Sequence, residues 1–170
     1  PTIIGSSLVK KFNYDKFKKI NFFFSNILKN NEVFISNILL GFQLKLYKFD
    51  KYSSKKNIEP EKILINSYSK KLIKNIQYNQ NLLYSINTTK ELISEPANIL
   101  NPVTYAERCK NLKIKGLKIK EFKLLDLKKI GMKSLLSVSQ GSSVEPRVLI
   151  FEWNLKKNTK PTVLAGKGVT

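Results

Sequence analysis

The segment Thr162-Val163-Leu164-Ala165-Gly166-Lys167-Gly168-Val169-Thr170 places a lysine between two glycines at the end of an apolar run. The run 162–165 follows a proline and predicts a strand that is covered on both faces, as in parallel sheets beneath helices. A buried ammonium group is costly unless it is paired. We therefore expect Lys167 to reach solvent, to meet an anion, or to lose its proton and coordinate a metal ion.

A phosphate-binding P-loop also places a Gly-Lys pair after a strand, but the spacing here excludes that motif. A P-loop has a further glycine four intervening residues before the Gly-Lys pair and a serine or threonine directly after it. Pro161 and Gly168 occupy those two positions. Taken alone, the segment favours a lysine that reaches solvent from the end of a strand.

Several other segments favour a functional role for Lys167 over a lysine that merely reaches solvent. Upstream lie Leu39-Leu40-Gly41-Phe42 and Tyr47–Tyr52, and the later segments are Glu95–Pro102, Gly131–Ser142, Pro146–Trp153 and Ala165–Thr170. In this order they resemble blocks of the leucyl (cytosol) aminopeptidase family, and the resemblance extends from about residue 39 to residue 170. Because several ordered blocks are more specific than one motif, we identify the chain as similar to these peptidases.

The resemblance implies a metal-dependent aminopeptidase that holds two divalent metal ions, Zn²⁺ or Mn²⁺, with Lys167 as a ligand of one of them. It places the carboxylate ligands, a second lysine and an arginine further along the sequence. No catalytic residue and no cofactor-binding residue is therefore assigned within this chain, and Asp15, Asp50 and Asp126 match no ligand position. Since two neighbouring cations repel each other and need several carboxylates, we expect this chain alone to be inactive.

The resemblance also implies the setting of the parent protein. It predicts peptide substrates whose amino-terminal residue, preferably leucine, is released, together with a homohexamer and a cytoplasmic location. The chain begins at Pro1 and ends within a motif, so we expect a fragment that is truncated at both ends. A non-catalytic remnant that serves only as an interaction domain is one alternative.

The composition limits the other kinds of site. Of 170 residues, 42% are apolar, which suffices for a core, and no run approaches the roughly eighteen apolar residues of a membrane span, so we predict no membrane partner. Cys109 is the single cysteine and histidine is absent. A disulfide framework, a thiolate metal cluster and imidazole ligands are therefore excluded.

The net charge of +19 makes a basic nucleic-acid-binding module the second alternative. The excess is almost entirely lysine, because Arg108 and Arg147 are the only arginines, and arginine is the residue suited to bidentate phosphate and base contacts. Asparagine, isoleucine and phenylalanine are also abundant, and their codons are rich in A and T. We therefore attribute the lysine excess to coding bias and a solvated surface, and nucleic acid is possible but not favoured.

The first part of the chain predicts an α/β arrangement. Lys62–Asn66 is typical of a short strand, and the continuous apolar run in Lys19–Phe24 predicts either a strand or a buried helix. Residues 69–94 follow helical spacing as one long helix or two abutting helices. An amphipathic helix is predicted where apolar residues recur every four positions, at Phe34, Ile38, Phe42 and Leu46.

The second part begins at Asn101, which we expect to cap a helix whose first residue is Pro102. Leu117–Phe122 alternates between apolar and polar residues and predicts a strand. Asp126 is expected to cap a short helix that ends near Gly131. Another helix is predicted over residues 132–138, and a turn follows it at residues 140–143. Residues 148–151 and 162–165 give the strongest strand predictions, and the short polar turn between them predicts a hairpin. Because a hairpin pairs its strands in antiparallel fashion, we predict a mixed sheet.

These elements divide the chain into three parts. We predict a partial amino-terminal α/β domain over residues 1–68, a linking helix over residues 69–100, and the start of a truncated peptidase domain with a mixed sheet over residues 101–170.

Overall fold

The computed structural model describes residues 1–12, 17–24, 31–56, 58–66, 69–153 and 160–168. The chain divides into two units, Pro1–Ser94 and Glu95–Thr170. The boundary falls within the segment for which the sequence predicts a linking helix, and the three-part division stays a prediction. No helix among the described residues combines the length and the apolar character that crossing a membrane requires.

The amino-terminal unit alternates helices with strands, as predicted from residue 19 onward, and it begins with a helix over residues 2–11 that the sequence did not predict. Its strands pair in parallel, with Lys19 opposite Lys62 and Phe22 opposite Ile65. Both strands turn one face to the core and the other to solvent. The elements are α1 (Thr2–Lys11), β1 (Lys19–Phe22), α2 (Glu32–Leu46), β2 (Lys62–Ile65) and α3 (Lys70–Ser94).

Helix α2 lies at the centre of this unit and confirms the helix that the four-residue spacing predicts. It is buried on most sides rather than on one face, because residues of α1, α3 and the two strands all pack around it. Asn31 caps it, since its side-chain oxygen accepts a hydrogen bond from the Phe34 backbone N–H at 3.3 Å. Two buried clusters form along α2, and the inward faces of β1 and β2 pack against both of them. Their buried members are Val9, Phe42 and Leu46 in one cluster, and Ile35, Leu39 and Leu72 in the other.

Helix α3 is one continuous helix of 25 residues, which decides between the two alternatives predicted for residues 69–94. Buried Asn79 donates a hydrogen bond from Nδ2 to the Ser36 carbonyl oxygen at 2.9 Å. Lys90 donates from Nζ to the Leu44 carbonyl oxygen at 3.0 Å. These two bonds, 11 residues apart on α3, hold the helix alongside α2, because each satisfies a carbonyl of that helix.

Helices α1 and α2 touch at two glycines. A Cβ atom built on Gly5 would overlap the Ile38 carbonyl oxygen, and one built on Gly41 would overlap the Thr2 carbonyl oxygen. A side chain at either position would therefore collide with backbone, which cannot rotate away as a flexible side chain can. Gly41 belongs to the Leu39–Phe42 segment that carries part of the family resemblance, and its physical role is to let the two helices meet.

Among its described residues, the carboxy-terminal unit contains three helices and two strands. Strands β3 and β4 pair in antiparallel fashion, with Leu117 opposite Trp153 and Phe122 opposite Val148. The elements are α4 (Pro102–Lys110), β3 (Leu117–Phe122), α5 (Leu124–Ile130), α6 (Lys133–Ser139) and β4 (Val148–Trp153). Every helix and strand predicted for residues 101–151 is present.

The start of α4 confirms the predicted cap. The Asn101 side-chain oxygen accepts from the backbone N–H groups of Val103 and Thr104, both at 3.1 Å, and Pro102 opens the helix. The Thr104 hydroxyl in turn accepts from the Asn101 backbone N–H at 2.9 Å, which completes a reciprocal capping box. On the inner face of α4, Cys109 is buried, as expected of a small apolar residue, and burial raises the pKa of its thiol.

Helix α5 corrects one detail of the sequence prediction. Asp126 is not the residue that precedes the helix; that residue is Lys123, and Asp126 lies three positions later. Its carboxylate accepts from the Lys123 backbone N–H at 3.1 Å, so it satisfies an amide at the helix start from within the first turn. Gly131 ends the helix with φ of 80°, a left-handed conformation that glycine adopts without strain.

Gly41→Ala tests the contact between α1 and α2. Alanine gains about 1 kcal/mol of helix propensity over glycine, but overpacking against backbone costs about 3 kcal/mol. We expect a net loss of about 2 kcal/mol in the free energy of unfolding, measured by urea denaturation followed by far-ultraviolet circular dichroism.

Gly141→Ala is the matched control for that measurement. Gly141 is exposed and has open space around the position of a Cβ atom, so its substitution is expected to change stability by less than about 0.5 kcal/mol. An unfolding midpoint of the Gly41→Ala protein equal to that of the unsubstituted protein would contradict the close helix contact.

Candidate functional site

The segment that carries Lys167 is the first candidate site, and it does not form the predicted strand. Residues 160–168 contain neither helix nor strand, and all of them are exposed, with 80% of Val163 and 94% of Leu164 accessible to solvent. The predicted hairpin between residues 148–151 and 162–165 is therefore wrong, since β4 pairs with β3 instead. The residues expected in the hairpin turn, 154–158, lie outside the described residues.

The physical reason is that a strand depends on its neighbours. Its backbone groups need a partner strand, and apolar residues on both faces need a covering layer. The described residues of this chain supply neither to residues 162–165. Lys167 is exposed rather than buried, so in this structure its ammonium group does not need a ligand to offset the cost of burial. Its role as a metal ligand stays a prediction of the family resemblance.

A group of charged side chains lies where β4 begins. Arg147 and Glu121 are nearly buried, with 11% and 12% of their side chains exposed, and the Arg147 Nε atom lies 3.0 Å from Glu121 Oε1. Lys110, at the end of α4, donates to Glu121 Oε2 at 2.7 Å. Arg147 also donates from Nη1 to Glu145 Oε2 at 3.0 Å and to the Pro146 carbonyl oxygen at 2.9 Å. This group ties α4, β3 and the start of β4 together.

The electrostatics of this group favour an ionised glutamate. The hydrogen bond from Lys110 lowers the pKa of Glu121 most, partial desolvation opposes it, and the positive charges of Lys110, Lys123 and Arg147 lower it further. Its Oε2 atom accepts the hydrogen bond from Lys110, and its Oε1 atom forms an ion pair with Arg147. We therefore interpret Glu121 as a positioning residue for the sheet rather than as a general base.

The segment Glu95–Pro102 also serves structure. The Glu95 carboxylate is fully buried, and its Oε1 atom lies 3.4 Å from Arg108 Nη2 on α4. A buried carboxylate needs such a partner, because an uncompensated buried charge is strongly destabilising. Both arginines of the sequence thus hold glutamates of their own unit, which the sequence did not predict. No local pattern marks either pair, since their members lie 13 and 26 residues apart.

The turn at residues 140–143 is confirmed as a turn. Gly141 has open space around it, and the Ser142 backbone N–H donates to the Ser139 carbonyl oxygen at 3.1 Å. Trp153, at the end of β4, is 64% exposed, and its indole N–H donates to the Lys115 carbonyl oxygen at 3.2 Å.

The described residues do not fit a two-metal centre. Among them, no group of three or more cysteine, aspartate or glutamate side chains is arranged to hold a metal ion. Asp126 is engaged at the start of α5, Asp50 lies in the amino-terminal unit, and Asp15 lies outside the described residues. One lysine cannot neutralise two cations, so the chemistry of a two-metal site cannot be built from these side chains.

A cavity of about 320 Å³ opens in the amino-terminal unit between the end of α2 and the second half of α3. Six of its seven lining residues lie on α3, and the sequence did not indicate the cavity because the seventh, Tyr47, lies 33 residues before Gln80. Its lining is polar and aromatic and includes one carboxylate, with neither a nucleophile–base pair nor a second acid. The lining residues are Tyr47, Gln80, Leu83, Tyr84, Asn87, Thr88 and Glu91.

Comparison with known proteins indicates the protein family, which the geometry of the described residues does not. Residues 87–170 match the model of the cytosol aminopeptidase family, catalytic domain. The chain belongs to the cytosol aminopeptidase family. A relative named probable cytosol aminopeptidase, from Phytoplasma mali, is 35% identical over 144 residues, which are 79% of this chain and 29% of the relative. The chain spans less than a third of the length of the curated relatives it matches.

Solved structures support the same fold. A mutant of tomato leucine aminopeptidase superposes with a TM-score of 0.77 and 18% identity, over 92% of this chain and 34% of that protein. The bottromycin maturation enzyme BotP in complex with Mn gives a TM-score of 0.70 and 18% identity, over 86% of this chain and 31% of that protein. At this identity the likeness concerns the fold, and it confirms the predicted α/β class.

The lowered pKa of Glu121 makes the carboxy-terminal unit of this aminopeptidase-family chain sensitive to acid. Because the pKa of Glu121 in the folded protein lies below its ordinary value of about 4.5, the ionised carboxylate stabilises the fold above that pH. The contribution is lost as the pH falls through the folded pKa. We expect Glu121→Gln to lower stability at pH 7 by about 1 kcal/mol, since Lys110 is half exposed.

The measurement is urea denaturation between pH 3 and pH 7, followed by the fluorescence of Trp153, the single tryptophan. The difference between Glu121→Gln and the unsubstituted protein should shrink towards pH 3. Glu107→Gln, which changes an exposed carboxylate on α4, is the control and should follow the unsubstituted protein throughout. A Glu121→Gln difference that is independent of pH would refute the assignment.

Proposed function

We propose that the protein to which this chain belongs is a metal-dependent aminopeptidase that releases amino-terminal residues, preferably leucine, from peptides. The observation that carries the proposal is the match of residues 87–170 to the catalytic domain of the cytosol aminopeptidase family. A homohexamer and a cytoplasmic location accompany the proposal, since the family resemblance implies both and the curated relatives bear the name cytosol aminopeptidase.

The proposal includes two divalent metal ions, Zn²⁺ or Mn²⁺, with Lys167 as one ligand. A structural neighbour of 18% identity is described as a complex with Mn, which supports a divalent ion in this fold. No cluster of carboxylates among the described residues is arranged to hold two cations. The remaining metal ligands therefore have to come from outside the described residues. We therefore propose that the 170-residue chain alone does not hydrolyse peptides.

The purified 170-residue chain should not hydrolyse leucine amide with either Zn²⁺ or Mn²⁺ added. The expected rate equals that of the metal salt alone, because the carboxylates that would hold the ions are missing from the described residues. The Phytoplasma mali relative, assayed in parallel, serves as the positive control. Turnover by the 170-residue chain would overturn the proposed inactivity.

A chimera tests Lys167 directly. In it, the part of the Phytoplasma mali relative that aligns with this chain is replaced by the matching residues of this chain, through Thr170. If the proposed function is right, the chimera hydrolyses leucine amide, and Lys167→Met lowers kcat at least 100-fold, because methionine keeps the length of the side chain but lacks the nitrogen.

Lys160→Met is the matched control in the same chimera, since Lys160 is also exposed in segment 160–168. It should retain the activity of the chimera. An active relative with a folded but inactive chimera would instead favour a non-catalytic interaction domain. Equal activity of the two lysine variants would exclude Lys167 as a ligand.

A further inference from the structure

The sheet of the amino-terminal unit has one face that no described element covers. Residues on β1 and β2 alternate between partly buried and exposed. The inward residues pack against the two buried clusters, and they are Ile20, Phe22, Ile63 and Ile65. The outward residues, together with the exposed residue that follows β1, form what we call the open face: Lys19, Asn21, Phe23, Lys62 and Leu64.

The parallel register places two lysines side by side on the open face. Lys19 lies directly opposite Lys62, and both are exposed. Like charges in this arrangement destabilise a sheet, and the open face itself carries no acidic residue. The nearest acid along β2, Glu61, lies 3.8 Å from Lys18 in an exposed pair. A pair of cations that costs stability and meets no anion on its own face is suited to an external anion.

An aromatic ring occupies the other end of the open face. Phe22 and Phe24 both pack against the core, with ring centroids 6.1 Å apart, so Phe23 between them turns outward and is 76% exposed. The backbone there is fixed, because the Phe24 N–H donates to Asn66 Oδ1 at 3.0 Å and the Asn66 N–H donates to the Phe22 carbonyl oxygen at 3.2 Å. Phe23 is therefore presented to solvent by an ordered backbone.

We propose that the open face binds single-stranded nucleic acid without reading its sequence. Lysine ammonium groups contact phosphates as point charges, and an exposed ring stacks on an unpaired base of any kind. The row from Lys19 to Phe23 is about 13 Å long, which accommodates a few nucleotides. A duplex would keep its bases stacked inside and leave Phe23 without a partner, so the ring favours a single strand.

The arginine content agrees with binding that is independent of sequence. Arginine is the residue that reads guanine in bidentate fashion, and both arginines of this chain pair with glutamates in the carboxy-terminal unit. The net charge of +19 adds long-range attraction for any polyanion. The open face combines two lysines that are adjacent across the sheet with an aromatic ring that is 76% exposed.

The test measures fluorescence anisotropy of labelled twelve-nucleotide oligo-dT and oligo-rU with the 170-residue chain, between 50 and 200 mM NaCl. We expect Lys19→Glu with Lys62→Glu to weaken binding at least tenfold. The slope of log K against log salt should fall by about 1.4, the value for two phosphates of a single strand. Phe23→Ala should weaken binding about fivefold or more with an unchanged slope, because it removes stacking and no charge.

Two matched controls separate the open face from general charge. Lys118→Glu with Lys120→Glu changes the net charge equally on two exposed lysines of β3, and Tyr84→Ala removes an aromatic side chain that is 76% exposed on α3. Both should change binding by less than about threefold. If Lys19→Glu with Lys62→Glu disturbs folding, as judged by circular dichroism, Lys19→Gln with Lys62→Gln is used instead.

Three outcomes would overturn the proposal. Equal losses for the two lysine pairs would show diffuse attraction by the whole charge. Wild-type binding by Phe23→Ala, or equally tight binding of a duplex of the same length, would remove the single-strand assignment. Binding to vesicles that contain phosphatidylserine, lost in the same open-face variants while the oligonucleotides do not bind, would assign the surface to a membrane instead.

Discussion

The backbone contact between α1 and α2 at Gly5 and Gly41 is the constraint on which the amino-terminal unit depends. Since neither residue has a side chain, the two helices meet closely enough for Val9 and Phe42 to share one buried cluster. The inward faces of β1 and β2 pack on that cluster and its neighbour. The described helices that cover the sheet all lie on one side, so among the described residues the other side is exposed, and this side is the open face.

The carboxy-terminal unit depends on charges rather than on glycines. Glu121 lies between Lys110 and Arg147, and Glu95 pairs with Arg108, so two acidic residues that could suggest chemistry are instead engaged in holding α4 and the β3–β4 pair. In a family of peptidases this engagement of the glutamates matters, because among the described residues no group of acidic side chains is left that could hold two cations. The catalytic proposal therefore rests on family membership, and the described side chains explain the scaffold.

Most of the successful sequence predictions rest on local signals. Asn101 before Pro102, the four-residue recurrence from Phe34 to Leu46, and Gly131 at a helix end each act through neighbours within one or two turns, so their structures followed from the pattern. The sequence prediction failed at residues 162–165, where an apolar run indicated a strand. The run has the composition of a strand, but pairing and burial depend on distant residues, and the described part of the chain leaves this segment exposed.

The sequence by itself determined the family, the α/β class, most element positions and a large excess of lysine. The sequence could not show which lysines lie close together, because composition gives no information about the distances between residues. The tertiary structure decided that Lys19 lies beside Lys62, 43 residues away, and that Phe23 faces outward from the same sheet while Lys167 lies on an exposed segment. The physical reason is that strand register is set by burial of one face, and register alone determines which side chains share the other.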